Sequence, residues 1–245
     1  MLKPAQQMQL DFYFDPISPY AYLAFEHLPK ALEGLTVSVS YKPVLFGAML
    51  AAHGQKGPAE IAGKREWTYR QVLWQAQRLD VVMAMPASHP FNPLALLRTV
   101  LGAADDNGGV NRYSAELLLR HVWASTAAGQ AVGLDPNEAL RLQAFEAQLQ
   151  QHVATRGDAW RDAHWVKARL RTNTEQALAA GVFGVPTVVA HNEHNAQKAQ
   201  NQSQTLLFWG LDGLDMLADY LRGGDWFAGS AWHQAGAIPV GITRA

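Results

Sequence analysis

The chain has 245 residues, is 49% hydrophobic and 17% charged, and carries a formal net charge of −1. Its size suits one globular unit, or one with an insertion, and the absence of long basic or acidic runs argues against a nucleic-acid partner or an anionic membrane surface. It has no cysteine, which excludes disulfides, thiolate metal sites and thiol catalysis by the protein itself.

The opening MLKPAQQMQL has one Lys and no apolar core, so it does not read as a signal peptide. With no apolar run of membrane-spanning length, the cytoplasm is the expected compartment. Leu10, Phe12 and Phe14 then alternate with Asp11 and Tyr13 as a short strand. Asp15-Pro16 breaks it. Ser18-Pro19 is a helix start: the Ser hydroxyl can accept from a free first-turn N–H, and Pro suits the first helical position. Tyr22, Leu23, Phe25, Leu28 and Leu32 supply the helix's apolar positions, and Gly34 stops it. Residues 36–41, TVSVSY, alternate as a second strand. Strand, helix, strand is a βαβ unit, so the two strands should run parallel.

Residues 44–52 are apolar and fit a short helix or a buried turn, followed by a 53–57 loop. From 58 to about 181 the chain is helical in character, with helices expected at 60–79, 94–104, 110–128, 137–151 and 158–180. A loop at 82–93 is punctuated by Pro86, Pro90 and Pro93. A strand at 187–190 follows Gly181-Val182-Phe183-Gly184-Val185-Pro186. The polar stretch 191–204 reads as a hairpin loop to a strand at 205–209, and Gly210-Leu211-Asp212-Gly213 turns into a last helix at 214–221. The tail carries Trp226, Phe227 and Trp232 among glycines and packs on the surface or on a partner chain. No internal repeat is evident. The expected division is 8–56 with 181–222, an all-helical insertion at 57–180, and a tail at 223–245.

Ser18 stands between a strand and a helix N-terminus, where partial positive charge favours an anion. It reads as a plain helix cap or as a hydroxyl that faces a bound anion. Lys64 and Arg65 open the first insert helix, as a solvated face or as partners for a substrate carboxylate. Tyr20 lines a pocket or joins the core. His191 and His194 have ligand-like spacing without an obvious third partner, so no metal is expected. The tryptophans at 67, 74, 123, 160, 165 and 209 are expected in the core or a pocket wall.

Several separated pieces carry a family resemblance: FYFDPISPYAYLA (12–24), YKPVLFGAM (41–49), HPFNPLALLR (89–98), GVFGVPTVV (181–189) and FWGLDGLDML (208–217). Together they cover about 9–222. The chain resembles the α/β, DsbA-like thioredoxin fold with a large helical insertion, and more narrowly the 2-hydroxychromene-2-carboxylate isomerases and kappa-class glutathione transferases. In disulfide oxidoreductases of this fold a Cys-x-x-Cys sits at the helix start; here those positions are Ser18 and Ala21. The resemblance implies a thiol supplied by glutathione and held by Ser18, with a cis Val185–Pro186 bond offering backbone groups to it. It implies that Asp212 holds the γ-glutamyl ammonium and that the residue before it binds the carboxylate. That residue is usually Ser or Asn in the family and is Leu211 here, and the frequent Arg after the Asp is Gly213, leaving the Leu211 backbone N–H to serve. Gln55 stands where the family often has Asn. Asn92 matches an Asn in a loop facing the site and, with Tyr20 and Lys64, is the substrate-side expectation. The implied partners are a small molecule and a second copy of the chain, and the implied activity is a glutathione-dependent isomerase. The alternatives are a kappa-like transferase and a non-catalytic thioredoxin-fold binding module.

Overall fold

The computed structural model describes residues 8–125, 133–152, 164–191 and 205–241. The chain opens with β1 (Met8–Phe14), α1 (Pro19–Ala31), β2 (Val37–Pro43) and α2 (Phe46–Ala52). A 3-10 turn (Pro58–Glu60) leads into α3 (Ala62–Arg78), α4 (Leu94–Leu101), α5 (Arg112–Trp123), α6 (Ala139–His152) and α7 (His164–Ala179). The chain then returns through β3 (Thr187–His191), β4 (Leu206–Trp209) and α8 (Gly213–Leu221), a 3-10 turn (Asp225–Ala228) and α9 (Ser230–Gly236).

The strands from the two ends of the sequence form one sheet in the order β2-β1-β3-β4. β1 runs parallel to β2, with Phe12 opposite Tyr41, and antiparallel to β3, with Leu10 opposite Ala190. β4 closes the sheet antiparallel to β3. The two-residue period of a strand explains the layers. Leu10, Phe12 and Phe14 are fully buried against α1 and the insert, in a cluster that also holds Phe25, Leu97, Val100, Leu119, Trp123 and Leu170. Tyr13 and Val189 face the other way, into a smaller cluster with Val44, Met49, Ala177, Val182 and Val185. The larger cluster runs continuously from the sheet into the helical insert, so the two share a core.

Residues 44–52 resolve as the helix α2 preceded by an extended Leu45. The first insert helix corrects the expectation for its tryptophans. α3 buries only Val72 and Ala76, a stripe too narrow to shelter the rest of its apolar residues, and Trp67 and Trp74 are 65% and 52% exposed. Trp209, 54% exposed, departs in the same way, whereas Trp123 is fully buried. α4 stops at Leu101 with Gly102 as its cap, three residues earlier than the apolar pattern suggests. The tail folds back on its own chain: Phe227 packs edge-on against Phe208, Tyr220 and Trp232. The loop at 192–204, with His194, and Trp160 lie outside the described residues, as do 126–128 and 158–163 of two expected helices.

Candidate active site at the Ser18 turn

Ser18 caps α1 in extended geometry, with Pro19 at the first helical position. Its Oγ accepts from the Ala21 N–H at 3.3 Å and donates to the Val185 carbonyl at 3.3 Å. The hydroxyl therefore ties the helix start to the loop before β3. It is only 8% exposed.

The turn that delivers Ser18 is held from several directions. The Ser18 N–H donates to the Asp15 carbonyl at 3.0 Å. The Asp15 side chain is fully buried and accepts from Ile17 N–H and Phe46 N–H, each at 2.9 Å. Burial pushes its carboxyl up to about 7, against the opposing pull of those two donors. The Pro16 carbonyl accepts from the Trp123 indole N–H at 2.8 Å. The Ile17 carbonyl is paired with His89 Nε2 at 2.7 Å. A carbonyl can only accept, so Nε2 carries the proton and Nδ1, 2.7 Å from the Tyr69 hydroxyl, is the acceptor. Burial lowers the His89 pKa, which favours this neutral form.

The loop before β3 contains a cis Val185–Pro186 bond, and a second cis bond, His89–Pro90, lies in the insert. Pro186 O accepts from Gly210 N–H at 2.9 Å, which fixes the 210–213 turn beside it. Gly210 has φ of +86°, a conformation glycine adopts without penalty. Among the described residues nothing accepts from the Val185 N–H.

Asp212 precedes α8 but makes no side-chain capping bond, and it is exposed. It lies close enough to Tyr20 that its charge, after burial, helps push the tyrosine pKa up. The Tyr20 hydroxyl donates to Gln71 Oε1 at 2.7 Å. Leu211 packs against the main core. A Cβ at Gly213 would stand 3.1 Å from the Phe208 carbonyl carbon, so this turn is tight where the family often carries Arg.

Ser18, Val185 and Pro186 thus meet, and Tyr20, Leu211 and Asp212 gather on the adjoining helix start and turn. Three other expected residues do not join them by hydrogen bond or ion pair. Gln55 is exposed after α2, its N–H bonded to Leu50 O. Lys64 is exposed on the first turn of α3. Asn92 accepts from Leu94 N–H at 3.0 Å and, through its carbonyl, from the Asn137 amide at 3.1 Å, so it caps α4 and pins α6's approach. Asp15 and His89 were missed by sequence reasoning. Their types are unremarkable, and only long-range contacts reveal their burial and partners. Among the described residues no cluster of three or more His, Asp or Glu is arranged to hold a metal, and His191 Nε2 instead meets Asp11 Oδ2 at 2.9 Å. No described helix is long and apolar enough to cross a membrane. A cleft of about 800 Å³ opens on the sheet face opposite α1, lined by Asp11, Ser38, Ser40 and Lys42. It shares no residue with the Ser18 group, whose convergent polar groups make it the stronger chemical candidate.

A family model described as a DSBA-like thioredoxin domain matches residues 9–222. Glutathione S-transferase kappa 1 of Rattus norvegicus is 25% identical over 229 residues, covering 89% of this chain and 92% of that protein. The 2-hydroxychromene-2-carboxylate isomerase of Pseudomonas putida is 27% identical over 217 residues, covering 86% of this chain and 92% of its own length. Among solved structures, a 2-hydroxychromene-2-carboxylate isomerase superposes with a TM-score of 0.63 at 18% identity, covering 95% of this chain and all of that one.

Proposed function

The chain belongs to the DSBA-like thioredoxin domain family, and from that premise we propose that it is a glutathione-dependent isomerase of the 2-hydroxychromene-2-carboxylate type, acting on an unsaturated, aromatic-derived small molecule. Its curated relatives are enzymes, kappa-class transferases and such isomerases alike. The observation that carries the proposal is the Ser18 hydroxyl at a helix N-terminus, 3.3 Å from the carbonyl of a cis-Pro loop, in a chain without cysteine.

The residues present fit glutathione. When bound, glutathione supplies the nucleophilic thiol that the chain lacks. The uncommitted Val185 N–H and the Val185 carbonyl are a donor and an acceptor for an added peptide strand. Ser18 turns its proton from Val185 O to the sulfur, which frees that carbonyl to accept a peptide N–H. The start of α1 stabilises negative charge there by about 0.3–1 kcal/mol, or about 2 when partly buried. With the Ser18 hydrogen bond, this lowers the thiol pKa by about one to two pH units, at about 1.4 kcal/mol each. On this reading Asp212, exposed and without a side-chain capping bond, receives the γ-glutamyl ammonium, and the Leu211 N–H takes the carboxylate. Tyr20 lines the substrate side. Gln55, Lys64 and Asn92 contribute only if the segments that carry them close on a bound ligand.

As an isomerase cofactor, glutathione would supply a nucleophilic sulfur for reversible addition to the unsaturated substrate and would be recovered in the thiolate form in which it entered, with Ser18 holding that sulfur throughout. The kappa-transferase matches, at least as broad in coverage as the isomerase matches, favour a second reading in which the same thiolate displaces a leaving group and forms a conjugate. Steady turnover of a hydroxychromene carboxylate without loss of glutathione selects the first; stoichiometric consumption with a halogenated aromatic selects the second. Calorimetry that detects no glutathione binding up to millimolar levels would overturn both. We carry a cytoplasmic homodimer as part of this proposal, with sedimentation as its check.

A further inference from the structure

We infer that His89 and Trp123, two side chains of the helical insert, are positioning residues that aim the Ser18 hydroxyl. This rests on the functional reading above for its chemical consequence, but not for its geometry.

The turn 15–18 has few backbone partners of its own. It leaves the sheet at Phe14 and enters α1 at Pro19, so Pro16 O and Ile17 O belong to neither ladder. Pro16 is buried and Ile17 partly so, and a buried carbonyl left without a donor is destabilising. The insert supplies both donors. Trp123 Nε1 reaches Pro16 O at 2.8 Å, 107 residues away in sequence, and His89 Nε2 reaches Ile17 O at 2.7 Å, 72 residues away. These are the two carbonyls immediately before Ser18.

The donors are themselves fixed. The His89 ring packs against Tyr69, Phe91 and Trp123, with centroids 5.4, 6.0 and 5.5 Å away. The Tyr69 hydroxyl holds the other side of the residue, 2.7 Å from Nδ1 and 3.0 Å from the His89 carbonyl. Trp123 has no exposed surface. The two rings touch each other and grip successive peptide units, so they act as one clamp. A shift of that clamp moves the Ser18 Cα, and with it the direction of a hydroxyl that must choose between Val185 O and a sulfur. Misplacement of a reacting group by about 1 Å lowers rates by up to about a hundredfold.

The experiment compares His89→Phe, His89→Gln, His89→Asn and Trp123→Phe with the full-length wild type. Gln can place an amide N–H near the Nε2 position; Asn is too short, and Phe keeps only the ring. Two readouts are taken: amide hydrogen exchange at Ile17, Ser18 and Ala21 without glutathione, and the pH midpoint of thiolate absorbance with glutathione bound. The clamp predicts loss of protection at the Ser18 amide and a higher thiol midpoint in His89→Phe and Trp123→Phe. It also predicts a kcat fall of about ten- to a hundredfold with little change in KM for glutathione, and recovery in His89→Gln. If His89→Phe does not fold, His89→Asn and Trp123→Phe carry the same test. Wild-type protection at Ser18 in the folded donor-less variants overturns the clamp, whether or not glutathione binds. A wild type that fails to bind glutathione overturns the functional reading instead, and the exchange data still decide the clamp.

Discussion

Two proline loops meet the turn at Ser18, and they do so by different means. The Val185–Pro186 loop belongs to the sheet: it leads directly into β3, and its backbone carbonyl takes the Ser18 hydroxyl. The His89–Pro90 loop belongs to the insert and reaches the turn through a side chain, with the His89 ring on Ile17 O. The first presents backbone groups that a bound peptide can share. The second is closed off, its donors already committed within the protein. The Ser18 hydroxyl is therefore mounted between a loop that offers backbone groups and a loop that holds the turn in place.

The sharpest way to break this comparison is to remove the hydroxyl. Ser18→Ala should fold, losing about 1 kcal/mol of capping, while turnover with glutathione falls by about a hundred- to a thousandfold, as when one hydrogen-bond donor to a developing charge is deleted. Steady-state kinetics beside a denaturant melt separates the two effects. Full activity would return Ser18 to the role of a simple cap.

Asp15 probes the holding side. Its carboxyl is raised by burial from the ordinary 3.8 to about 7, so the folded protein retains the proton to higher pH than the unfolded chain. Its contribution to stability is complete below about pH 4 and is lost as pH rises through about 7. Thermal melts of the wild type should show that decline, by a few kcal/mol, and Asp15→Asn, which cannot titrate, should flatten it over the same window. An unchanged slope in Asp15→Asn would remove Asp15 from the account.

Asp212 probes the binding side. It caps nothing, so Asp212→Ala should leave the melting temperature in place and weaken glutathione by about tenfold, the equivalent of about 1.4 kcal/mol. A melting shift without an affinity change would mark it as structural. The smallest effects should come from Gln55→Ala and Lys64→Ala. Both side chains are exposed and, among the described residues, make no hydrogen bond or ion pair, so stability should stay within about 0.5 kcal/mol. A large loss of glutathione affinity in either variant would show that the segment carrying it closes over the ligand.

The sequence made the sheet side legible because its signals are local. Alternating Leu10, Phe12 and Phe14, the Ser18-Pro19 cap, Gly34 at φ +77° and the Val185–Pro186 dipeptide each declare a backbone state within a few residues. The holding side has no such signature. Whether His89 faces Ile17 depends on how α3, α4 and α5 pack, and nothing in HPFNP announces it. Asp15 reads as a strand breaker, and its burial follows only once α2 starts at Phe46 and donates to it. Asn92, assigned to the site by resemblance, uses its side-chain oxygen to accept the Leu94 N–H at the start of α4, a local role that its loop position alone does not declare. Helix amphipathicity misled in α3 because a short buried stripe of Val72 and Ala76 suffices to seat it, leaving Trp67 and Trp74 outside.

The central claim is that the Ser18 hydroxyl holds a glutathione thiolate at the start of α1. The most direct measurement is the pH midpoint of thiolate absorbance for bound glutathione in wild type and Ser18→Ala. The account predicts a wild-type midpoint about one to two pH units below that of the free thiol and a return most of the way toward it in Ser18→Ala; equal midpoints in the two proteins would contradict it.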